Sequence, residues 1–449
     1  MKAYENKVSN YILLIISYCL YAKASPVGSL FLLTITAITY LFALLIERKQ
    51  SYGKRIYILV GAMLSLLPLT IFKYYNFILE NIRDLFSAID ISIGLPGLNW
   101  AIPLGISFYS FQAVGYLFDV YYKRIKAEHN WWDYMLFVGF FPQIVSGPIS
   151  KAKDLLPQIK SERDFNYDKC VEGLRWLLWG FFLKIAVADR LALYINNVLD
   201  NYPVQTGSSC LVASILYAFQ IYTDFAGYSL MAIGVGAIMG FELINNFRRP
   251  YLAVSVTDFW RRWHISLSTW LKDYVYIPLG GNRCSKLTNY FNIFVTFLVS
   301  GIWHGASWTF IVWGILHGIF QIIEKMLGLQ KYDKNNFIRI IRILITFFLV
   351  TFAWIFFRMT NLNAAIDVVC KIFTDLEPSI YMTGSHIQDL LIVTPLLVVI
   401  LKDWIEEFSN FSLFHNKFRI IRWCSYFVVL FYILLFGVFD ASSFIYANF

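Results

Sequence analysis

Phe291-Asn-Ile-Phe-Val-Thr-Phe-Leu-Val-Ser-Gly-Ile-Trp-His304-Gly-Ala-Ser-Trp-Thr-Phe-Ile-Val-Trp-Gly-Ile-Leu-His-Gly-Ile-Phe320 contains no Asp, Glu, Lys or Arg, and His304 stands near its middle. A bilayer core about 30 Å thick takes roughly 20 apolar residues as a helix. A helix rising about 1.5 Å per residue would make this run about 45 Å long. That is too long for one span, and two would need about 40 residues. A tilted helix or two half-helices fits better, broken at Ser300-Gly301 or at His304-Gly305. An ionisable group in such a run is costly unless it faces the protein interior or water, which makes His304 a functional-site candidate.

The rest of the chain agrees with a membrane setting. Only 15% of its 449 residues are charged and 58% are hydrophobic, with a mean hydropathy of +0.57. Soluble domains carry about 25% charged residues. Candidate spans centre near residues 16, 37, 64, 110, 181, 216, 235, 305, 348, 394 and 431. Tyr134–Ile149 is too short for a span and carries Pro142, so it reads as a re-entrant segment whose broken backbone protein or water must bury. Lys2 and Lys7 before apolar Tyr11–Leu20 resemble a signal peptide, but a first span is the stronger reading in a chain with many more. No internal repeat, low-complexity tract or soluble domain is visible. One polytopic domain over residues 1–449 is expected, with its core motifs in 258–318.

The net charge of +9 follows from positive-inside bias in a membrane protein and calls for no nucleic acid. Lys and Arg cluster in Arg48–Arg55, Lys123–Lys126, Lys151–Lys169 and Arg248–Lys286, which the same bias places on the cytoplasmic side. Strict alternation then fails in the middle of the chain, which argues for broken helices between Met135 and Leu316. Six scattered cysteines without a Cys-x-x-Cys read as free, mostly buried thiols. No metal site is expected, because the histidines lack zinc spacing and a nearby carboxylate.

The basic segment opens with Ser255-Val-Thr-Asp258, a capping-box pattern. From Asp258 the spacing predicts one helix with Trp263, Leu267, Trp270 and Tyr274 as its apolar stripe. By itself this is an amphipathic helix at the cytoplasmic interface; His264, beside the stripe, is placed to point into a cavity. Ile277-Pro-Leu-Gly-Gly-Asn282-Arg283 breaks the helix. Its glycines allow close backbone approach to a ligand and Arg283 suits a phosphate, though an ordinary turn with a membrane anchor reads equally well. Asp224, in Tyr222-Thr-Asp-Phe-Ala-Gly-Tyr228, is an acid in apolar sequence that either pairs with an Arg or orients a histidine. Gly234 and Gly236 read as helix-packing glycines.

Neutral imidazole near pKa 6.5 can take a proton from a hydroxyl and return it to a leaving group. At His304 that suits direct acyl transfer from a thioester to an alcohol; a buried histidine bonded between helices is the alternative. His317 reads as packing.

Asp258–Arg283 and Ser300–Gly318 together resemble the membrane-bound O-acyltransferases, in the branch that acetylates alginate, related polysaccharides or peptidoglycan. Pro103–Gln112, Phe140–Pro148 and Asn245–Tyr251 support the match, which runs from about Tyr11 to Phe449. The resemblance implies an all-α integral membrane fold, a ring of about eleven transmembrane helices plus re-entrant segments around a cytoplasmic funnel. It implies that His304 is the catalytic histidine and that His264, the second family histidine, lines the funnel, where it assists or gates. Arg261, Arg262, Asn282, Arg283 and Asp224 are the further donor-binding or funnel candidates, although as membrane anchors the arginines need no such role. No bound cofactor is implied. Acetyl-CoA is the expected co-substrate, and the partners are membrane lipid, an extracytoplasmic acetyltransferase and a cell-surface glycan. The location is the bacterial cytoplasmic membrane. Two departures stand out: the segment that usually precedes the Tyr11–Ala22 region does not precede it here, and Leu230 occupies a position often acidic or amide. D-alanyl transfer from a carrier protein to teichoic acid, a proton-coupled transporter or flippase, and a scaffold for a partner enzyme are the rival readings.

Overall fold

The computed structural model describes residues 2–49, 52–92, 94–329, 335–409 and 411–439, and over these its regular structure is all helical. Gln50 and Ser51 of the Arg48–Arg55 cluster, and residues 440–449 of the family-like region, lie outside the described residues. The chain divides into two compact units, Met1–Gly173 with Val235–Ile244, and Leu174–Gly234 with Asn245–Ile445.

The first unit holds α1 (Lys2–Ala24), α2 (Pro26–Arg48), α3 (Tyr52–Ser87), α4 (Ile106–Tyr121), α5 (Trp131–Gly139), α6 (Phe141–Ile144) and α7 (Ala152–Lys160). Pro26 separates α1 from α2 and opens the latter, where its missing N–H costs nothing. On α2, Leu32, Ile35, Thr36, Thr39, Ala43 and Ile46 form the buried stripe at helical spacing. The segment expected to be re-entrant is indeed broken, at Phe140. Its backbone is satisfied by protein: the amides of Gln112 and Gln143 both donate to the carbonyl of Phe137, at 2.5 and 3.2 Å.

The second unit begins within α8 (Tyr167–Phe181), which runs through a π-helical segment, Phe182–Ala188, into α9 (Asp189–Leu199). There follow α10 (Gly207–Ile238), α11 (Val256–Arg262), α12 (Ile265–Leu271), α13 (Lys286–His304), α14 (Trp308–Met326), α15 (Asn336–Arg358), α16 (Leu362–Thr374), α17 (His386–Phe408) and α18 (Arg419–Phe436). Expectations at three places need correction. The centres near 216 and 235 belong to one helix, α10, because nothing between them breaks it. The centre near 305 falls between two helices. The helical hairpin formed by α13 and α14 borrows residues beyond both ends of the charge-free run, so two 19-residue helices fit where thirty residues would not. The break is at His304-Gly305, one of the two expected positions.

The third correction concerns the basic segment, which is two short helices with His264 at the kink. Trp263 and Leu267 are fully buried, and Trp263 packs against Phe247, Tyr251 and Trp354 rather than lying at an interface.

By length and composition, five helical segments among the described residues suffice to cross a membrane: Pro26–Arg48, Gly53–Ser87, Gly207–Ile238, Asn336–Arg358 and Arg419–Phe436. The six cysteines are free, but Cys19, Cys284, Cys370 and Cys424 are exposed and only Cys210 is buried. The expectation of burial fails because several helices of a membrane protein turn apolar faces outward.

Candidate functional site

The α13–α14 hairpin is tight. A Cβ on Gly301 would lie 2.4 Å from the carbonyl oxygen of Phe310, and one on Gly314 would lie 2.5 Å from that of Phe297. Two glycines facing each other let the backbones approach closely, the packing mode of small residues in membrane helices. Ser285 and Ser307 cap the two helices, accepting from the N–H groups of Thr288 and Thr309.

The buried face of α13 carries Asn289, Asn292, Thr296, Ser300 and His304. These recur at intervals of three or four residues, so a polar stripe runs along one face of α13, whose single Lys or Arg is Lys286 in its first turn, and ends at the break. Ser300, one turn before His304, is fully buried and its hydroxyl has no hydrogen-bond partner among the described residues. The start of the stripe is tied to the Ile277–Arg283 turn, where the side-chain amides of Asn289 and Asn292 donate to the Gly281 carbonyl at 2.7 and 3.2 Å.

His304 is 1% exposed and sits among aromatic rings. Trp303, Trp313 and Phe357 meet it edge-on with centroids 4.8, 4.9 and 5.2 Å away. His264 is also fully buried. It lies edge-on to Phe225 at 4.6 Å and packs on the same Trp303, at 6.1 Å. One indole therefore touches both histidines that the sequence singled out, though 40 residues separate them. His317, on α14, packs against Trp313 at 4.9 Å, and its Nδ1 accepts from the Trp260 indole N–H at 3.2 Å. Indole is only a donor, so Nδ1 carries no proton and His317 is held as one tautomer.

His264 has a left-handed backbone, with φ +42 and ψ +55. Non-glycine residues take this region rarely, at a cost of order 1–3 kcal/mol. The Asn245–Tyr251 segment holds the kink in place. The Arg248 N–H donates to the Arg262 carbonyl at 2.9 Å, and the Ile265 N–H to the Asn246 carbonyl at 3.0 Å. The Ser266 N–H donates to Asn246 Oδ1 at 3.1 Å, with Asn246 fully buried. Burial among rings depresses the His264 pKa to about 3, because charging it there would forfeit solvation. His264 is thus a neutral imidazole at physiological pH.

The remaining candidates divide. Arg262 is engaged by Asp258 and Glu407, both at 3.0 Å. Arg261, Asn282 and Arg283 are exposed. Gly280 and Gly281, with φ of +109 and +57, are needed to make the turn itself. Asp224 pairs with a lysine, not an arginine: Lys184, in the π-helical segment, meets Asp224 at 2.8 Å and Asp189 at 2.7 Å. Its neighbour Phe225, not Asp224, supplies the ring contact to His264. Among the described residues no three His, Cys, Asp or Glu side chains are grouped for a metal.

Sequence reasoning overlooked Asn246, Ser300, Trp303, Trp313 and Glu407. The polar stripe could have been found by testing α13 for polar rather than apolar period. Glu407 joins three arginines, Arg249, Arg262 and Arg339, at 2.9, 3.0 and 3.4 Å. Its only local signal was acid in otherwise span-like sequence.

Comparison with known proteins fits this arrangement. Residues 15–366 match the family model described as MBOAT, membrane-bound O-acyltransferase family. Over 361 residues the chain is 39% identical to the protein named probable alginate O-acetylase AlgI in Pseudomonas aeruginosa, covering 79% of this chain and 68% of that one. It is 36% identical over 359 residues to a peptidoglycan O-acetyltransferase of Helicobacter pylori, covering 74% and 67%. A teichoic acid D-alanyltransferase of Streptococcus thermophilus is 29% identical over 281 residues, covering 57% and 68%.

Proposed function

Because this chain belongs to the membrane-bound O-acyltransferase family, we propose that it transfers an acetyl group from a cytoplasmic thioester, acetyl-CoA, toward a cell-surface polysaccharide or peptidoglycan. It is a multi-pass membrane O-acyltransferase. The observation that carries the finer reading is His304, buried at the break of the α13–α14 hairpin, near the middle of the charge-free run and at the end of a polar stripe. Such a stripe lines a polar path toward His304 through apolar surroundings, since polar groups in spans face interiors or cavities.

The chemistry needs no covalent enzyme intermediate. His304 takes the proton of an acceptor hydroxyl as its oxygen forms a bond to the thioester carbonyl carbon. The tetrahedral intermediate collapses, the carbon–sulfur bond breaks, and the thiolate takes the proton from His304. A positioned base of this kind contributes about 10²–10⁴-fold in rate. Rings on three sides of His304 restrict water, which would otherwise compete as the nucleophile. His264, neutral at physiological pH, offers a hydrogen bond or a gate through Trp303 rather than a positive charge. Arg261, Arg283 and Asn282 are exposed where an anionic donor would first meet the protein. The acceptor stands on the far side of the membrane, and an extracytoplasmic acetyltransferase completes delivery to the glycan.

D-alanyl transfer is the second reading, favoured by the teichoic acid relative but over a smaller share of the chain than the acetyltransferases cover. The test is base-labile acetate on the surface glycan of cells carrying wild-type or His304→Ala protein at matched membrane levels. A loss of about a hundredfold is expected. Unchanged acetate in the variant would remove His304 from the chemistry; ester-linked alanine in place of acetate in the wild type would transfer the reading to the second class.

A further inference from the structure

A cavity of about 360 Å³ opens where α17 ends and the connection to α18 begins. Arg175 and Trp179 of α8 line it, with Arg249, Lys402 and Glu406, and Phe414 from the connection. Its lining therefore carries three permanent cations against one carboxylate. Behind the wall, Arg249 shares Glu407 with Arg262 and Arg339. The charges there are closer to matched, since Arg262 also meets Asp258 at 3.0 Å and Arg249 comes within 4.0 Å of Glu406, so the surplus belongs to the lining itself. Lys402 divides its charge between Glu406 at 2.9 Å and the face of Trp179 at 4.9 Å.

The chain around the cavity extends this imbalance. Between Phe408 and Phe439 there is no Asp or Glu, whereas Lys417, Arg419 and Arg422 follow one another at the start of α18. By the positive-inside rule such a connection faces the cytoplasm. Helix α18 is one of the five span-like segments and buries little of itself: Ile420, Trp423 and Phe427 are 78, 57 and 51% exposed. It is anchored to the cavity wall through Tyr426, whose hydroxyl accepts from Arg175 Nε at 2.8 Å and donates to the Phe414 carbonyl at 3.0 Å. Cations, tryptophan and phenylalanine thus meet at the end of a lipid-facing helix, where headgroups lie.

We propose that this cavity binds the phosphate headgroup of an anionic membrane phospholipid, whose acyl chains lie along the exposed apolar face of α18. Guanidinium groups match phosphate geometry and the lysine adds a point charge. Basic pockets between transmembrane helices on the cytoplasmic side are suited to such headgroups. The surplus of positive charge selects an anionic lipid over a zwitterionic one. Nothing in this site requires acyl transfer, so its failure would leave the reading of His304 untouched.

The experiment is thermal unfolding of the purified full-length protein in delipidated detergent, titrated with phosphatidylglycerol or phosphatidylcholine. Phosphatidylglycerol is expected to raise Tm with half-saturation at least tenfold below that of phosphatidylcholine. The Arg175→Gln/Lys402→Gln double variant should weaken this response at least tenfold. Ser412→Trp, which fills the cavity without changing charge, should do the same and decides the matter even where the double variant fails to fold. Lys417→Gln, outside the lining, should respond as wild type. Equal responses to the two lipids would overturn the proposal. So would a wild-type response in Ser412→Trp, or a loss in Lys417→Gln as large as that in the double variant. Displacement of phosphatidylglycerol by equimolar coenzyme A would assign the cavity to a soluble phosphate and overturn the lipid assignment.

Discussion

Replacing Gly314 with alanine tests the hairpin that presents His304. The new methyl would lie 2.5 Å from the Phe297 carbonyl oxygen and 3.2 Å from the Gly301 Cα. Optimal heavy-atom separations are about 3.5–4.0 Å, so α13 and α14 must part by about 1 Å there. Overpacking of this kind costs about 1–3 kcal/mol, while exchanging glycine for alanine in a helix returns about 1 kcal/mol. Gly318 is the internal control. It lies one turn further along α14, and a Cβ there meets its nearest neighbours at 3.5 Å, an ordinary contact. Helix propensity favours alanine at both sites to a similar degree. The difference in unfolding free energy between Gly314→Ala and Gly318→Ala therefore reports the steric effect, and should be about 1–3 kcal/mol in favour of Gly318→Ala. Trp313, which packs on His304, precedes Gly314 directly, so the displacement reaches the imidazole. A misplacement of about 1 Å can cost about 10²-fold in rate. The assays are denaturant unfolding in detergent and base-labile acetate on cells with matched protein levels. Equal stability of the two variants would refute the close-packing argument. A destabilised Gly314→Ala protein with full acetylation would refute the link from hairpin to His304.

Further expectations follow from the same geometry. Asn246→Ala removes the acceptor of the Ser266 N–H at the His264 kink; leaving that buried donor unmet should cost about 1–3 kcal/mol, read by thermal unfolding. Glu407→Gln leaves three arginines without their shared carboxylate and should cost about 3 kcal/mol, at the lower end for breaking a buried pair. The His264 pKa is about 3 in the folded protein against 6.5 for the free side chain. The unfolded chain therefore binds the extra proton between these values, and stability falls as pH drops below 6.5. At pH 4.5 this one group should contribute a loss of about 2–3 kcal/mol that is absent above pH 7.5. Unfolding of wild type and His264→Asn across that range checks it, and parallel pH profiles would count against the depressed pKa.

Several features were legible without coordinates because they depend on local composition. Ser255 caps α11 as its sequence pattern requires, with its side chain accepting from the Asp258 N–H. Pro142 marks the broken segment, and His304-Gly305, one of two positions the sequence left open, marks the turn of the hairpin. Legibility failed where local pattern and tertiary contact disagree. The spacing of Trp263, Leu267, Trp270 and Tyr274 is helical throughout, and all four are buried as a stripe should be. The kink at His264 nonetheless divides the helix, because hydrogen bonds from a segment about twenty residues earlier hold a backbone conformation that helical spacing does not encode. Asp224 was visible as a buried acid, but its lysine partner lies 40 residues away on another helix.

The membrane class, the all-helical fold and the two principal histidines were determined by the sequence alone. They depend on how many apolar residues run without charge and on which ionisable groups interrupt them. The tertiary structure decided that His264 and His304 share the ring of Trp303 and that α13 turns its polar stripe inward. It also decided that one carboxylate, Glu407, gathers three arginines. These are properties of contacts between segments far apart in the chain. Hydrophobic burial has a magnitude but no direction, so composition can require that such groups be covered without specifying which neighbour covers them.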